Sequence, residues 1–154
     1  MGKLRFFCAL LIAKLSIIAL KITRHNGTNF PGIVAIRICP NFLEYIELPD
    51  KIIGITGTNG KTTCSNLLND ALTFLGEKVL NNSAGSNTIT GITTSLINSV
   101  SLAGKQSYNT AVFEIDELSS RRIFPFIHID YLVVTNLSRD SIMRNGHPEY
   151  MRSI

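Results

Sequence analysis

The chain has 154 residues, of which 45% are hydrophobic and 17% charged, with 11 Gly, 5 Pro and 3 Cys. Soluble domains average about 25% charged residues, so this composition excludes a long disordered chain, a collagen and a disulfide scaffold. The net charge of +4 arises in residues 1–24, which hold five basic residues and no acid, whereas the remaining residues hold ten basic and eleven acidic ones. The remaining residues form no basic stripe that could bind a nucleic acid, so we predict no nucleic-acid partner.

The N-terminal arm predicts a helix over residues 6–22, and Lys14 breaks its apolar run, so no uncharged stretch is long enough to span a bilayer. On a helical wheel Lys3, Lys14 and Lys21 fall within about 20° of one another, which is typical of an amphipathic helix at a membrane surface. Three interpretations stay open: a helix that packs on the protein, a peripheral membrane contact through residues 1–24, and a signal or anchor. The scattered cysteines indicate free thiols, so we expect a cytoplasmic protein, placed at the inner face of the membrane if the arm binds lipid.

Residues 1–48 are predicted as a helical leader, with short helices at about 32–38 and 41–46. Residues 49–154 alternate strands with helices, which indicates an α/β domain with a mostly parallel sheet of the P-loop type and flanking helices. Residues 83–90 are predicted as a polar loop. The predicted strands are 50–56, 77–81, 110–116 and 130–135, and the predicted long helices are 61–75 and 92–102.

A glycine-rich segment joins the first predicted strand to the first long helix. Its backbone N–H groups and the positive end of the helix can cradle phosphate oxygens. In this setting Lys61 can reach the β- and γ-phosphates, and the Thr62 hydroxyl can ligate Mg²⁺. The general P-loop pattern has a glycine where this chain has Ile55, so the loop is a variant. The predicted phosphate-binding residues are Gly57, Thr58, Asn59, Gly60, Lys61, Thr62 and Thr63.

Three carboxylates follow the third predicted strand and are candidates for a metal ligand. Glu114 closes an apolar run, so we expect it at the carboxyl edge of the sheet, where open α/β sheets bind ligands. Asp116 and Glu117 come directly before the next helical segment, and we interpret them as surface carboxylates that cap it. Glu114 is therefore the predicted metal ligand.

Four segments in this order and spacing resemble the Mur ligase family: GTNGKTT, NNSAGSNTITGIT, AVFEIDE and VVTNLSRD. The N-terminal segments AKL, NGTNFPG and PNFLE are similar to the leader of the family branch that amidates lipid II with a glutaminase partner. The resemblance covers about residues 6–150. Lys61 followed by Thr62 disfavours the folylpolyglutamate branch.

The resemblance implies a ligase of peptidoglycan synthesis that uses ATP and Mg²⁺ to activate a carboxylate as an acyl phosphate. An amine or ammonia then displaces the phosphate. The implied substrate is lipid II or a UDP-muramyl-peptide, and the implied partner is a glutaminase subunit. Lys61 and Glu114 are the implied catalytic residues, with Thr62 and Glu114 holding Mg²⁺. The implied substrate-facing loop contains Asn82, Gly85 and Asn87, and Asp140 and Arg144 are further candidate site residues.

Some features depart from the family pattern. Ser141 replaces a Gln or His, and Met143 replaces an Asp. The chain also ends before the rest of the family's central domain and its C-terminal domain, so we interpret it as an N-terminal fragment with an incomplete central domain. Two alternatives remain: a nucleotide-binding remnant or interaction module without ligase activity, and another Mur-type amino-acid ligase.

Overall fold

The computed structural model describes residues 2–24, 27–83 and 86–137. Within these residues helices and strands alternate after a helical leader, as the sequence predicts. In chain order the elements are α1 Gly2–Ile22, α2 Phe30–Ile38, α3 Phe42–Tyr45, β1 Lys51–Thr56, α4 Lys61–Phe74, β2 Val79–Asn81, α5 Ile89–Ser99, β3 Thr110–Glu114, α6 Glu117–Ile123 and β4 Tyr131–Val134.

The four strands form one parallel sheet in the order β2-β3-β1-β4. Parallel neighbours need a crossover, and helices α4, α5 and α6 lie in the connections between successive strands. Strand β1 is central, so the loop that follows it opens at the middle of the sheet's carboxyl edge. This architecture confirms the predicted α/β class with a parallel sheet and flanking helices.

The inner strands β1 and β3 are covered on both faces, which explains why they are continuous apolar runs. On one face Ile53, Ile55 and Val112 form a small core with Cys64 and Leu68 of α4. On the other face lies a larger core that α1, α2, α3, α5 and α6 share with the sheet. The leader and the sheet therefore share one hydrophobic core.

Helix α1 packs on this larger core through Phe6, Ala9, Leu10 and Ala13, which are all buried. The Lys14 ammonium donates to the carbonyl oxygens of Ile97 (2.8 Å) and Val100 (2.6 Å), close to the C-terminus of α5. The interpretation of the arm as a packed helix is thus confirmed for this face of α1. In the described part of the chain, no helix is both long and apolar enough to cross a membrane.

The bounds predicted for α5 are wrong by three residues at each end. The helix begins at Ile89, inside the segment predicted as a loop, and it ends at Ser99 rather than at residue 102. Val100 has extended backbone and forms an antiparallel bridge with Gln106. The apolar periodicity continues past Ser99, which is why the sequence predicts a longer helix. In the structure, Lys14 binds the carbonyl oxygens of Ile97 and Val100, and the bridge to Gln106 holds Val100 in an extended conformation, so the helix ends at Ser99.

Candidate functional site

The glycine-rich loop lies between the end of β1 and the start of α4. Gly60 is the N-cap of α4 with φ 81°, a left-handed conformation that favours glycine, and no described side chain caps the helix. The first bond of the helix is donated by Cys64 N–H to Gly60 O (2.9 Å). The N–H groups of the first turn have no partner inside the helix, so they and the positive helix end can receive an anion.

Two residues after β4 hold this loop from the side. Thr58 N–H donates to Asn136 O (2.9 Å), and Asn59 N–H donates to Asn136 Oδ1 (3.1 Å). The Thr135 hydroxyl donates to Asn59 O (2.7 Å). A Cβ on Gly57 would lie 2.7 Å from Asn136 O, so only glycine allows this close approach. These contacts fix the loop, and they engage the backbone N–H groups of Thr58 and Asn59 as hydrogen-bond donors to Asn136.

The Lys61 side chain is held inside the loop. Its ammonium donates to Gly57 O, to Thr58 O (3.4 Å) and to the Glu117 carboxylate (3.2 Å). The side chains of Lys61 and Glu117 are 14% and 8% exposed. A mostly buried ion pair of this kind fixes the ammonium at the base of the loop, because separating either charge from its partner is costly.

Glu114 lies beside Thr62 at the carboxyl edge of the sheet, as the sequence predicts. The Thr62 hydroxyl donates to Glu114 Oε2 (2.7 Å), and Asn87 Nδ2 donates to Glu114 Oε1 (3.2 Å). Asn82 is 2% exposed, and its side chain accepts from Glu114 N–H (2.8 Å) and donates to Glu114 O (2.9 Å). Asn82 therefore holds the backbone of Glu114, whereas Asn87 contacts its carboxylate.

The residues around Glu114 border an open pocket of about 350 Å³, lined by Thr58, Asn59, Gly60, Lys61, Thr62, Thr63, Asn87 and Glu114. Its donor set fits Mg²⁺ bound to a nucleotide. Mg²⁺ prefers oxygen ligands and commonly takes one carboxylate and substrate phosphates, so the Thr62 hydroxyl and the Glu114 carboxylate suffice on the protein side. Across residues 2–24, 27–83 and 86–137, no cluster of three or more His, Cys, Asp or Glu could bind a metal without a nucleotide.

The two remaining carboxylates behave differently from each other. Asp116 caps α6 by accepting from Ser119 N–H (3.2 Å), as predicted. The interpretation of Glu117 as a surface carboxylate is wrong, because it is buried and paired with Lys61. Gly85, Asp140, Ser141, Met143 and Arg144 lie outside the described residues.

Sequence reasoning missed Glu117, Thr135 and Asn136 as parts of the site. The available signal was the position of Thr135 and Asn136 directly after β4, since neighbouring parallel strands end at the same edge of the sheet. No local signal in the sequence marks Glu117, because the residue at which α6 begins decides whether its side chain points towards Lys61 or towards solvent.

Comparison with known proteins gives matches to one family. A family model, the Mur ligase middle domain, matches residues 55–149. The lipid II isoglutaminyl synthase (glutamine-hydrolyzing) subunit MurT of Streptococcus pneumoniae (strain ATCC BAA-255 / R6) is 38% identical over 121 residues, which are 79% of this chain and 27% of that protein. The subunit of the same name from Staphylococcus aureus (strain COL) is 34% identical over 149 residues, which are 96% of this chain and 33% of that protein. The chain thus spans a third or less of the length of these curated relatives.

A solved structure of MurF from Acinetobacter baumannii has a similar fold. It aligns with a TM-score of 0.57 at 18% identity and covers 78% of this chain and 26% of that one. At this identity the likeness concerns the fold alone, and the family model carries the assignment. The resemblance found in the sequence is confirmed: the chain belongs to the Mur ligase family.

Proposed function

We propose that this chain is the nucleotide-binding part of an ATP-dependent ligase that amidates a carboxylate of lipid II. The observation that carries the proposal is the pair of Thr62 and Glu114 oxygens, 2.7 Å apart beside the uncapped first turn of α4. A hydroxyl and a carboxylate at this place can hold Mg²⁺ on a triphosphate. The substrate follows from the relatives, which are named as subunits of a lipid II isoglutaminyl synthase.

In the proposed reaction the substrate carboxylate attacks the γ-phosphate, ADP leaves, and ammonia displaces phosphate from the acyl phosphate to give the amide. Lys61 contributes a fixed positive charge next to the loop, where negative charge gathers on the transferred group. Thr62 and Glu114 contribute the oxygen ligands for Mg²⁺. Asn82 and Asn87 keep the Glu114 carboxylate facing Thr62. The residues of this chain thus position Mg²⁺ and the triphosphate and stabilise the negative charge of the transferred group.

The ammonia would come from a glutaminase subunit. The relatives carry the words glutamine-hydrolyzing and subunit in their names, and this supports a partner that hydrolyses glutamine. The resemblance to the branch that amidates lipid II further implies that the acceptor is the D-glutamate carboxylate of lipid II. A protein with a lipid-linked substrate would work at the inner face of the membrane, which is the proposed location.

Nucleotide binding is tested by calorimetric titration of ATP into the purified chain, with and without Mg²⁺. We expect Mg²⁺ to tighten binding in the native chain, and we expect this gain to be lost in Thr62→Val and Glu114→Gln, because each removes one oxygen ligand. Asp70→Asn is the matched control, since Asp70 is an exposed carboxylate on the same helix as Thr62. Absence of ATP binding at millimolar concentration would contradict the proposal.

Ligase chemistry is separated from mere binding by trapping the acyl phosphate. The chain is incubated with lipid II, Mg²⁺-ATP and hydroxylamine, and hydroxamate is measured in the native protein and in Glu114→Gln. Formation of hydroxamate by the native protein but not by Glu114→Gln supports the ligase function. Binding of Mg²⁺-ATP without hydroxamate favours the alternative of a nucleotide-binding module.

A further inference from the structure

Helix α1 has a second apolar face that the rest of the described structure leaves exposed. Six large apolar side chains form it: Leu4, Phe7, Leu11, Leu15, Ile18 and Ile22. Their exposed fractions run from 46% at Phe7 to 76% at Ile22. On a helical wheel they span about 80°, and from Leu4 to Ile22 the face is about 27 Å long. Monomeric soluble proteins rarely expose a continuous apolar stripe of this length, which indicates an interaction surface.

The charges beside this face are all positive. Lys3 and Lys21 are exposed near its two ends, and on the wheel they lie about 40° from its edge at Phe7. Residues 1–24 contain no acid. Lys14 lies on the same border, but it turns inward to the carbonyls of Ile97 and Val100. The face thus carries a cation at each end and no negative charge.

We propose that this face of α1 lies flat on an anionic lipid bilayer, with its apolar side chains below the headgroups and Lys3 and Lys21 among the phosphates. The opposite side of α1 is packed on the protein core through Phe6 and Leu10, so the helix is held parallel to the surface. A second copy of the chain fits less well, because antiparallel pairing of two such faces brings Lys21 next to Lys3 without an acid between them. This inference is independent of the proposed ligase function.

The test is co-sedimentation of the whole chain with vesicles of phosphatidylglycerol and phosphatidylcholine, and with phosphatidylcholine alone. We expect binding to the anionic vesicles only, and we expect binding to fall when the salt rises, since screening shortens the reach of the lysines. Leu11→Ser/Leu15→Ser/Ile18→Ser removes the middle of the face and is expected to lower the partition coefficient at least about tenfold. Lys3→Gln/Lys21→Gln is expected to lower it about fivefold for each lysine.

Matched controls come from other exposed positions. Leu67→Ser/Phe74→Ser/Leu75→Ser removes three exposed apolar side chains on and directly after α4, and Lys78→Gln/Lys105→Gln removes two exposed cations. Both controls should bind vesicles as the native chain does. Circular dichroism and thermal unfolding check the fold, and the lysine variant carries the test if the serine variant is unfolded.

Two results would overturn the proposal. One is equal sedimentation of the native chain and the α1 variants with anionic vesicles. The other is a native dimer in analytical ultracentrifugation that the α1 serine variant dissociates, without vesicle binding by either protein. The second result would assign the face to another copy of the chain.

Discussion

At the scale of single residues, the ion pair between Lys61 and Glu117 changes what the loop lysine does. The loop motif in the sequence predicts that the positive charge of Lys61 binds phosphates. The structure adds that the same ammonium neutralises a carboxylate that is 8% exposed. Lys61 therefore contributes to stability as well as to the proposed binding, and its substitution has two separable effects.

Lys61→Ala is expected to lower the free energy of unfolding by about 1–3 kcal/mol, because it leaves the Glu117 carboxylate buried without its cation. Lys61→Ala/Glu117→Gln should recover most of this loss. Neither variant should bind ATP well, since both lack the lysine. Urea unfolding and calorimetry measure the two effects. Normal ATP binding by the double variant would show that Lys61 is purely structural.

Glu117→Gln is expected to tighten ATP binding several-fold. The carboxylate competes with phosphates for Lys61 and adds negative charge near the loop, whereas glutamine keeps the shape and removes both effects. The dissociation constant is measured beside Asp70→Asn, which removes an exposed charge on α4. Weaker binding by Glu117→Gln alone would instead make Glu117 a positioning residue that holds Lys61 ready.

The sequence predicts the loop, Thr62 and Glu114 because each is tied to the end of a strand or the start of a helix. It does not predict Glu117 or Asn136, because their contacts join residues 56 and 77 positions apart in the chain. Asp116 and Glu117 are adjacent acids with the same local pattern. Only the cap that Asp116 places on α6 decides which of them turns towards Lys61.

At the scale of elements, helix ends depend on partners that are distant in sequence. The predicted strands and α4 agree closely with the structure, because glycines and a change of periodicity mark their ends. The end of α5 has no such mark in its own sequence. It is set by Lys14 of α1, which donates to the carbonyls of Ile97 and Val100. A cation near a helix C-terminus also interacts favourably with the helix dipole.

Lys14→Met is therefore expected to destabilise the protein by about 1–3 kcal/mol at neutral pH, since two carbonyl oxygens lose a charged donor. Lys21→Met is the control. It makes the same change on the same helix at an exposed position, and its effect should stay within about 0.5 kcal/mol. Chemical unfolding measures both variants. Equal effects would show that Lys14 does not cap α5.

The same pair of proteins tests the pH dependence of this contact. Burial lowers the pKa of the Lys14 amine below its ordinary value. Between the folded and the unfolded pKa the unfolded chain binds more protons, so the stability of the native chain rises with pH in that window. The stability difference between the native chain and Lys14→Met should shift in favour of the native chain from about pH 7 to about pH 10. A constant difference would contradict the lowered pKa.

At the scale of the whole molecule, the leader and the sheet share one hydrophobic core. Phe6, Phe42, Ile92 and Phe113 belong to a single core, although they come from the leader, from α5 and from β3. The sequence pattern changes from helical in residues 1–48 to alternating strands and helices in residues 49–154. This pattern carries no information on which apolar faces pack against each other. We therefore expect one unfolding transition when α1 and the sheet are followed by separate probes.

Strand β4 is one of the two edge strands of the described sheet, and its side chains are not covered as those of the inner strands are. Tyr131, Leu132, Val133 and Val134 are all exposed, with Tyr131 at 61%. In the part of the chain that the structure describes, β4 pairs only with β1. Exposed apolar edge strands offer free backbone groups and apolar surface to other chains, and they promote association.

Charged substitutions on this edge should therefore keep the chain dispersed. Tyr131 pairs with Ile53 and Val133 with Ile55, so both lie on the α4 side of the sheet. Tyr131→Lys/Val133→Lys adds two charges there, and it is expected to lower light scattering at high protein concentration with little loss of stability, because neither side chain is buried. Ser101→Lys/Leu102→Lys adds the same charge to exposed positions after α5. If this control disperses the chain equally well, net charge accounts for the effect, and the β4 edge does not drive association.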